Sequence, residues 1–362
     1  MLAFASGLLG AAILAVVLTI AGALDTESAA PEAGTPTTVT VVEIREIVTE
    51  GAGAAPAASV ALKVVPSIVT VEVGNGGDAV DFDPFASGSG VVLTGGGYLV
   101  TNHHVIDNSD RVRVIFQDGR TYPAEVVGSD ALTDLAVLSI AATGLTPIEL
   151  GDTSTLSIGD PAIAVGNPLG LRGGASLTVG VVSAFDREVN LGPNEALFGM
   201  LQTDAPITEG SSGGALVDGN GRLIGITSAI GVSNAGAEGI GFAIPVELVS
   251  RVTDEIIATG TVRHAFLGIQ LDEEFEQLAD GSRIAVGTTI TGFVGDDPAA
   301  RAGGLLEGDV IVRFDENDVR TREDLINGIR RYRVGDVVEI EVIREGQVVI
   351  AQIALGERPP GL

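Results

Sequence analysis

Between Val64 and Pro245 the chain is built from short runs of aliphatic and β-branched residues separated by Gly, Asp and Asn clusters. Ser67-Ile-Val-Thr-Val-Glu-Val73, Gly90-Val-Val-Leu93 and Tyr98-Leu-Val-Thr101 are examples. Branched side chains fit a pleated surface, and Gly and Asn supply the backbone conformations of tight turns, so each run reads as a strand and each cluster as a turn. Strands at this spacing suit a barrel or a sandwich. Composition points the same way: 45% hydrophobic residues with only 4% aromatics, and 50 glycines, favour many short strands over a helical bundle. The expected fold class is mainly β.

A length of 362 residues corresponds to about two domains plus tethers. Pro245 opens an amphipathic helical pattern, Leu248, Val249, Val252 and Ile256, which stops at Gly260. Beyond it lies a second, smaller unit with strands near 267–271, 286–290, 310–314 and 337–343 and a helix from about Arg322 to Tyr332. The expected organisation is a membrane segment at 1–24, a linker at 25–58, a β-rich domain at 59–245, a connecting helix at 246–263, an α+β domain at 264–356 and a tail at 357–362.

Residues Met1 to Leu24 carry no charged side chain and are numerous enough to cross about 30 Å of hydrocarbon as a helix. We read them as a membrane anchor. A cleaved signal peptide is the rival, since Ala21-Gly22-Ala23 resembles a cleavage site, but the segment lacks a basic start and its apolar run is long. The first basic residue is Arg45, so flanking charge does not orient the segment. Residues 25–58, with Pro31, Pro36 and Pro56, read as a tether.

The formal charge of −28 repels phosphate backbones, which argues against nucleic acid as a partner. The absence of cysteine removes disulfides, thiolate metal sites and a cysteine nucleophile. No H-E-x-x-H metal motif or phosphate loop is present, so no metal or cofactor is expected.

What remains is a serine among glycines. Ser212 sits in Glu209-Gly-Ser-Ser-Gly-Gly-Ala-Leu216, directly before an apolar strand. Backbone N–H groups, here those of Gly210 and Ser212, can be turned toward a developing oxyanion most easily where glycine frees the backbone. A serine nucleophile needs a base, and there are three histidines: His103, His104 and His264. Thr101-Asn-His-His-Val-Ile106 follows a strand, so one of the paired imidazoles can face a cleft at its end; His264 lies in the connector. The third member of a triad is a carboxylate that orients the imidazole. Asp134, in Leu132-Thr-Asp-Leu-Ala-Val-Leu138, is flanked by apolar residues, and a buried carboxylate requires a partner.

Thr101-Asn-His-His-Val105, Thr133-Asp-Leu-Ala-Val137, Gly166-Asn-Pro-Leu-Gly170, Gln202-Thr-Asp204, Gly210-Ser-Ser-Gly-Gly214 and Gly239-Ile-Gly-Phe-Ala-Ile-Pro245 together resemble, in order and spacing, the HtrA (Deg) family of serine proteases. The resemblance implies a chymotrypsin-like double β-barrel followed by a PDZ domain. It implies His104 as the base, Asp134 as its orienting acid and Ser212 as the nucleophile, with Gly210 and Ser212 as oxyanion donors. Pro206 would lie at the base of the primary specificity pocket; with no carboxylate there, small or medium apolar residues are the implied preference. Thr208-Glu-Gly-Ser211 departs from the family's usual Asn-Pro-Gly-Asn, and a Glu209 carboxylate turned inward would oppose oxyanion formation. Three loops are expected around the site, near 170–175, 186–198 and 229–237.

The C-terminal unit resembles a PDZ domain, with Phe266-Leu-Gly-Ile269 as the loop that receives a terminal carboxylate and Leu325, Ile326 and Ile329 on the helix beside an added peptide strand. At least one of those three is expected to fill the core instead. The implied role is an endopeptidase of protein quality control, acting outside the cytoplasm on unfolded or damaged proteins, with C-terminal peptides bound at the PDZ domain. Family members commonly form homotrimers. A catalytically silent peptide-binding scaffold or holdase is the alternative, and secretion after signal cleavage the alternative to anchoring.

Overall fold

The computed structural model describes residues 56–79, 81–167, 174–192, 195–228, 239–278, 280–295 and 298–359. The expected membrane segment at 1–24 and nearly all of the tether fall outside these residues. Among the described residues no helix is long and apolar enough to cross a membrane.

The first barrel comprises β1 (Ile68–Gly74), β2 (Pro84–Val92), β3 (Tyr98–Thr101), β4 (Arg111–Phe116), β5 (Thr121–Asp130) and β6 (Leu135–Ser139), closed in the order β1-β2-β3-β6-β5-β4. The second comprises β7 (Pro161–Gly166), β8 (Ser176–Gly192), β9 (Glu195–Thr203), β10 (Ala215–Val217), β11 (Leu223–Ser228) and β12 (Gly241–Pro245), closed as β10-β11-β12-β9-β8-β7. The mainly β expectation holds.

Several strands read as unbroken apolar runs because both of their faces are buried. Along β3 and β6, Leu99, Ala136 and Leu138 point into the first barrel, while Val100, Leu135 and Val137 point out of it. The outward set meets Ile163, Val165, Ala215, Val217 and Ile226 of the second barrel. Alternation along a strand therefore assigns successive residues to two different cores instead of to core and solvent. The second of these cores welds the barrels together.

Helix α1 (Pro56–Val64) buries Val60 and Val64 against this shared core, and so takes up the last residues assigned to the linker. Helix α2 is a single turn, His103–Ile106, after β3. Helix α3 (Val246–Thr259) follows β12, with Pro245 as its N-cap and Gly260, at φ +82°, ending it. Its buried face, Val249, Val252 and Ile256, recurs every three or four residues and packs on strands of both barrels. The segment at 186–198, expected as a loop, is mostly a β-hairpin: β8 pairs with β9 from Val182↔Thr203 to Gly192↔Glu195 through several register shifts. Such shifts dilute the period-two signal that identifies a strand in sequence. Of the other two expected loops, residues 170–173 of 170–175 and all of 229–237 lie outside the described residues.

The C-terminal unit has β13 (Ala265–Phe266), β14 (Ile269–Gln277), β15 (Arg283–Phe293), helix α4 (Ala299–Ala302), β16 (Val310–Phe314), β17 (Asn317–Asp318), helix α5 (Arg322–Arg330), β18 (Val337–Arg344), β19 (Gln347–Ala354) and β20 (Gly356–Glu357). The main sheet runs β14-β15-β16-β18-β19, and β13 pairs with β20. A reciprocal capping box starts α5: Thr321 Oγ1 accepts from Asp324 N, and the Asp324 carboxylate accepts from Thr321 N. The core gathers Leu267, Leu305, Phe314, Leu325, Ile340 and Ile353.

This unit is tied to the barrels by polar contacts. His264 Nε2 lies 2.8 Å from Asp130 Oδ1, Arg330 donates to the Leu132 carbonyl at 3.2 Å, and Arg331 pairs with Asp186 at 3.3 Å. Burial pushes the Asp130 carboxyl up, but bonds from His264 and from the Thr133 hydroxyl and N–H outweigh it and hold the group below the usual carboxylate range. A carboxyl depressed in the folded state stabilises the fold above its unfolded pKa of about 3.9 and loses that contribution as pH falls through the folded value. Asp130→Asn is therefore expected to lower stability by about 1–3 kcal/mol at neutral pH, and by clearly less in strong acid where the wild-type carboxyl is also neutral. Urea denaturation of both proteins at the two pH values checks this.

Candidate active site

Asp134 precedes β6 with a left-handed backbone, φ +56°, a conformation that Asp and Asn tolerate better than other side chains. Two donors brace it here. Asn102 Nδ2 and His103 N donate to the Asp134 carbonyl at 2.9 and 3.1 Å. The twist aims the carboxylate at α2. Its Oδ1 accepts from His104 N at 3.0 Å, and both carboxylate oxygens lie 2.9 Å from His104 Nδ1. Ser228 Oγ donates to Oδ2 at 3.3 Å. At 3% exposure Asp134 is desolvated, and these donors offset the cost of burying its charge. With Nδ1 facing a carboxylate, the proton belongs on Nδ1, and Nε2 is left as the acceptor.

The structure thus separates the paired imidazoles. His103 turns away to Ser129 Oγ at 3.1 Å, and His264 belongs to the contact with Asp130.

Ser212, buried, lies in the loop between β9 and β10. Gly210 and Gly213 have φ of +86° and +84°, so the loop twice adopts a conformation suited to glycine. Ser89 of β2 holds the loop from the other barrel. Its N–H donates to the Ser212 carbonyl and its Oγ to the Gly210 carbonyl, both at 2.8 Å, and Oγ also accepts from Asn167 N at 2.8 Å. Thr101 Oγ1 donates to the Ser89 carbonyl at 2.7 Å. From the second barrel, Thr227 Oγ1 donates to the Ser211 carbonyl at 2.6 Å. The Gly210 N–H has no acceptor among the described residues, as an anion-binding donor requires. Glu209 is exposed.

Pro206 lines a cavity of about 60 Å³ together with Val165, Thr178, Thr208, Ser211 and Thr227, with no charged residue in its wall. Thr178 Oγ1 donates to the Pro206 carbonyl at 2.8 Å. Among the described residues no group of three or more histidines and carboxylates could hold a metal ion.

In the C-terminal unit, Phe266 ends β13 and Ile269 starts β14, with Leu267 buried between them. Gly268, at φ +74°, makes the turn, and a Cβ there would lie 2.7 Å from the Pro298 side chain. Leu325 is wholly buried, so it is core and is not available to a peptide; Ile329 packs on the same core and Ile326 is half-buried. Sequence reasoning passed over three contributors to the site: Ser89, Ser228 and the amide of Asn102. Asn102 stood inside a recognised motif, whereas the two serines carry no local signal that distinguishes them from turn or strand serines.

Residues 88–226 match the family model for a trypsin-like peptidase domain, and residues 265–355 match that for a PDZ domain. The serine endoprotease DegS of Escherichia coli (strain K12) is 39% identical over 278 residues, covering 75% of this chain and 77% of that protein. The serine protease PepD of Mycobacterium tuberculosis (strain ATCC 25618 / H37Rv) is 37% identical over 302 residues, covering 78% of this chain and 61% of that protein. A probable periplasmic serine endoprotease, DegP-like, of Chlamydia trachomatis is 38% identical; the chain spans only 54% of its length. Among solved structures, the HtrA-type protease AlgW with tripeptide superposes with a TM-score of 0.67 at 38% identity, over 84% of this chain and 97% of that one.

The loop geometry can be tested without reference to activity. A Cβ at Gly213 would lie 2.1 Å from the Ser89 carbonyl oxygen, on a backbone already at positive φ, whereas one at Gly219 meets nothing closer than 3.6 Å. Gly213→Ala is expected to destabilise the protein by at least about 1–3 kcal/mol and Gly219→Ala by less than about 1 kcal/mol, as measured by thermal denaturation.

Proposed function

The chain belongs to the HtrA family of serine proteases, and from that premise we propose that it is an endopeptidase working through Ser212, His104 and Asp134. The observation that carries this reading is the position of His104 Nδ1, 2.9 Å from both oxygens of the buried Asp134. That contact fixes the ring and its tautomer, which leaves Nε2 to accept the Ser212 proton. Ser212 Oγ then attacks the scissile carbonyl carbon, and the N–H groups of Gly210 and Ser212 receive the oxyanion. Collapse of the tetrahedral adduct breaks the C–N bond, with the proton passing from His104 to the leaving amine. Water repeats the sequence on the acyl-enzyme. Asp134 stays ionised throughout and balances the imidazolium.

The cavity of about 60 Å³ beside Pro206 would receive the side chain preceding the cleaved bond. Its uncharged wall favours small apolar residues and disfavours Arg and Lys, whose charge would be buried unpaired. The substrates we assign are unfolded or damaged proteins, which can thread an extended segment into the cleft. A peptide C-terminus would add to β14 beside α5, its carboxylate received at Phe266–Ile269 and its side chains meeting Ile326 and Ile329. Residues 1–24 would tether the enzyme to the membrane with both domains outside the cytoplasm, and a homotrimer is the assembly we propose.

A fluorophosphonate probe is expected to label the wild-type protein and leave Ser212→Ala unlabelled; labelling that persists in the variant contradicts the assignment. Asp134→Asn should lower kcat on an unfolded protein by on the order of a thousandfold or more, because the imidazole loses its tautomer and counter-charge. Mapped cleavage sites should follow Ala or Val at least about tenfold more often than Arg.

A further inference from the structure

Between the second barrel, α3 and α5 lies a cavity of about 440 Å³ that shares no residue with the site around Ser212. Its size falls in the range of about 300–1,000 Å³ that holds small organic ligands, and it sits where two domains meet, a common place for such sites. Phe185, Phe198 and Leu248 give it apolar walls; Arg251, Asn327 and Arg330 give it polar ones.

The polar groups are incompletely satisfied. Arg251 is 8% exposed, and its Nε and Nη1 have no hydrogen-bond partner among the described residues; its ion pair with Glu255 is long, at 3.8 Å. Asn327 is 7% exposed and leaves its Oδ1 unpartnered. Among the described residues Arg330 donates to the Phe198 and Leu132 carbonyls, at 3.5 and 3.2 Å, and lies over the Phe198 ring, with no carboxylate in ion-pair contact. Burial lowers its pKa to about 10, still well above neutrality, so the guanidinium remains charged. The carboxylates in the wall are already engaged: Asp186 with Arg331 at 3.3 Å, and Glu247 with Thr153 N and Oγ1 at 2.7 Å.

A buried guanidinium whose one ion pair is long, beside a half-buried one bonded to carbonyls alone, is costly in any protein and conspicuous in a chain of net charge −28. An anion removes that cost, and apolar walls select one with a hydrocarbon body. We propose that the cavity binds a small amphipathic carboxylate of the fatty-acid type, its headgroup on Arg251 and its tail against Phe185, Phe198 and Leu248. A single negative charge suits the site, because Arg330 already spends N–H donors on backbone carbonyls. The proposal is independent of the role assigned to Ser212.

Isothermal titration of the full chain with decanoate, below its micelle-forming concentration, tests it against 1-decanol and decyltrimethylammonium as neutral and cationic counterparts. Decanoate should bind saturably at one site and at least about tenfold more tightly than either counterpart. Arg251→Met should weaken decanoate binding about tenfold or more while leaving the unliganded protein at least as stable, since it removes an unsatisfied buried charge. Leu248→Trp, which fills the cavity and leaves the charges in place, should abolish binding. No saturable binding, equal binding of all three amphiphiles, or unchanged affinity in both variants overturns the proposal.

Discussion

Ser89 joins the two halves of the site. It belongs to the first barrel, yet its N–H and hydroxyl hold two carbonyls of the Ser212 loop, 121 and 123 positions further along the chain. Its own carbonyl is held by Thr101, one residue before the Asn102 that fixes Asp134. Each bond is worth only about 0.5–1.5 kcal/mol net, but all are buried, and a buried group left unpaired costs about 1–3 kcal/mol. The loop's position relative to His104 is therefore set by a network that relaxes only as a whole. Gly213 shows how close the approach is, since there is no room for a Cβ against the Ser89 carbonyl.

That network rests on two barrels that share a core. Strands such as β6 give alternate residues to the interior of one barrel and to the core shared by both, so the barrels are packed together and not merely tethered. Helix α3 lies across strands of both and α1 packs on the same core. A rigid joint is what preorganised catalysis needs: donors aimed in advance cost no rearrangement when charge develops.

Much of this was legible in sequence where the chemistry is local. The run of β-branched residues between turn clusters gave the fold class, the Gly210–Gly214 loop pointed to Ser212, and an acid among apolar neighbours pointed to Asp134. Family resemblance chose between His103 and His104, which spacing alone could not separate. Less visible were features that depend on distance through space. Ser89 and Ser228 look like ordinary serines, and the 186–198 hairpin is masked by its register shifts. On α5 the apolar positions fit a groove or a core equally well, and tertiary packing put Leu325 wholly inside while turning Asn327 and Arg330 toward the second barrel.

The most direct test of Ser89 as the joint is the steady-state kinetics of Ser89→Ala on an unfolded protein substrate, with folding checked by circular dichroism. Loss of the hydroxyl frees the Gly210 carbonyl and Asn167 N–H, and a misplacement costing about 1–3 kcal/mol in the transition state should lower kcat roughly ten- to a hundredfold with KM changed less than about threefold. A folded Ser89→Ala protein with wild-type kcat would contradict the account, because the Ser212 loop would then hold its position without the Ser89 hydroxyl.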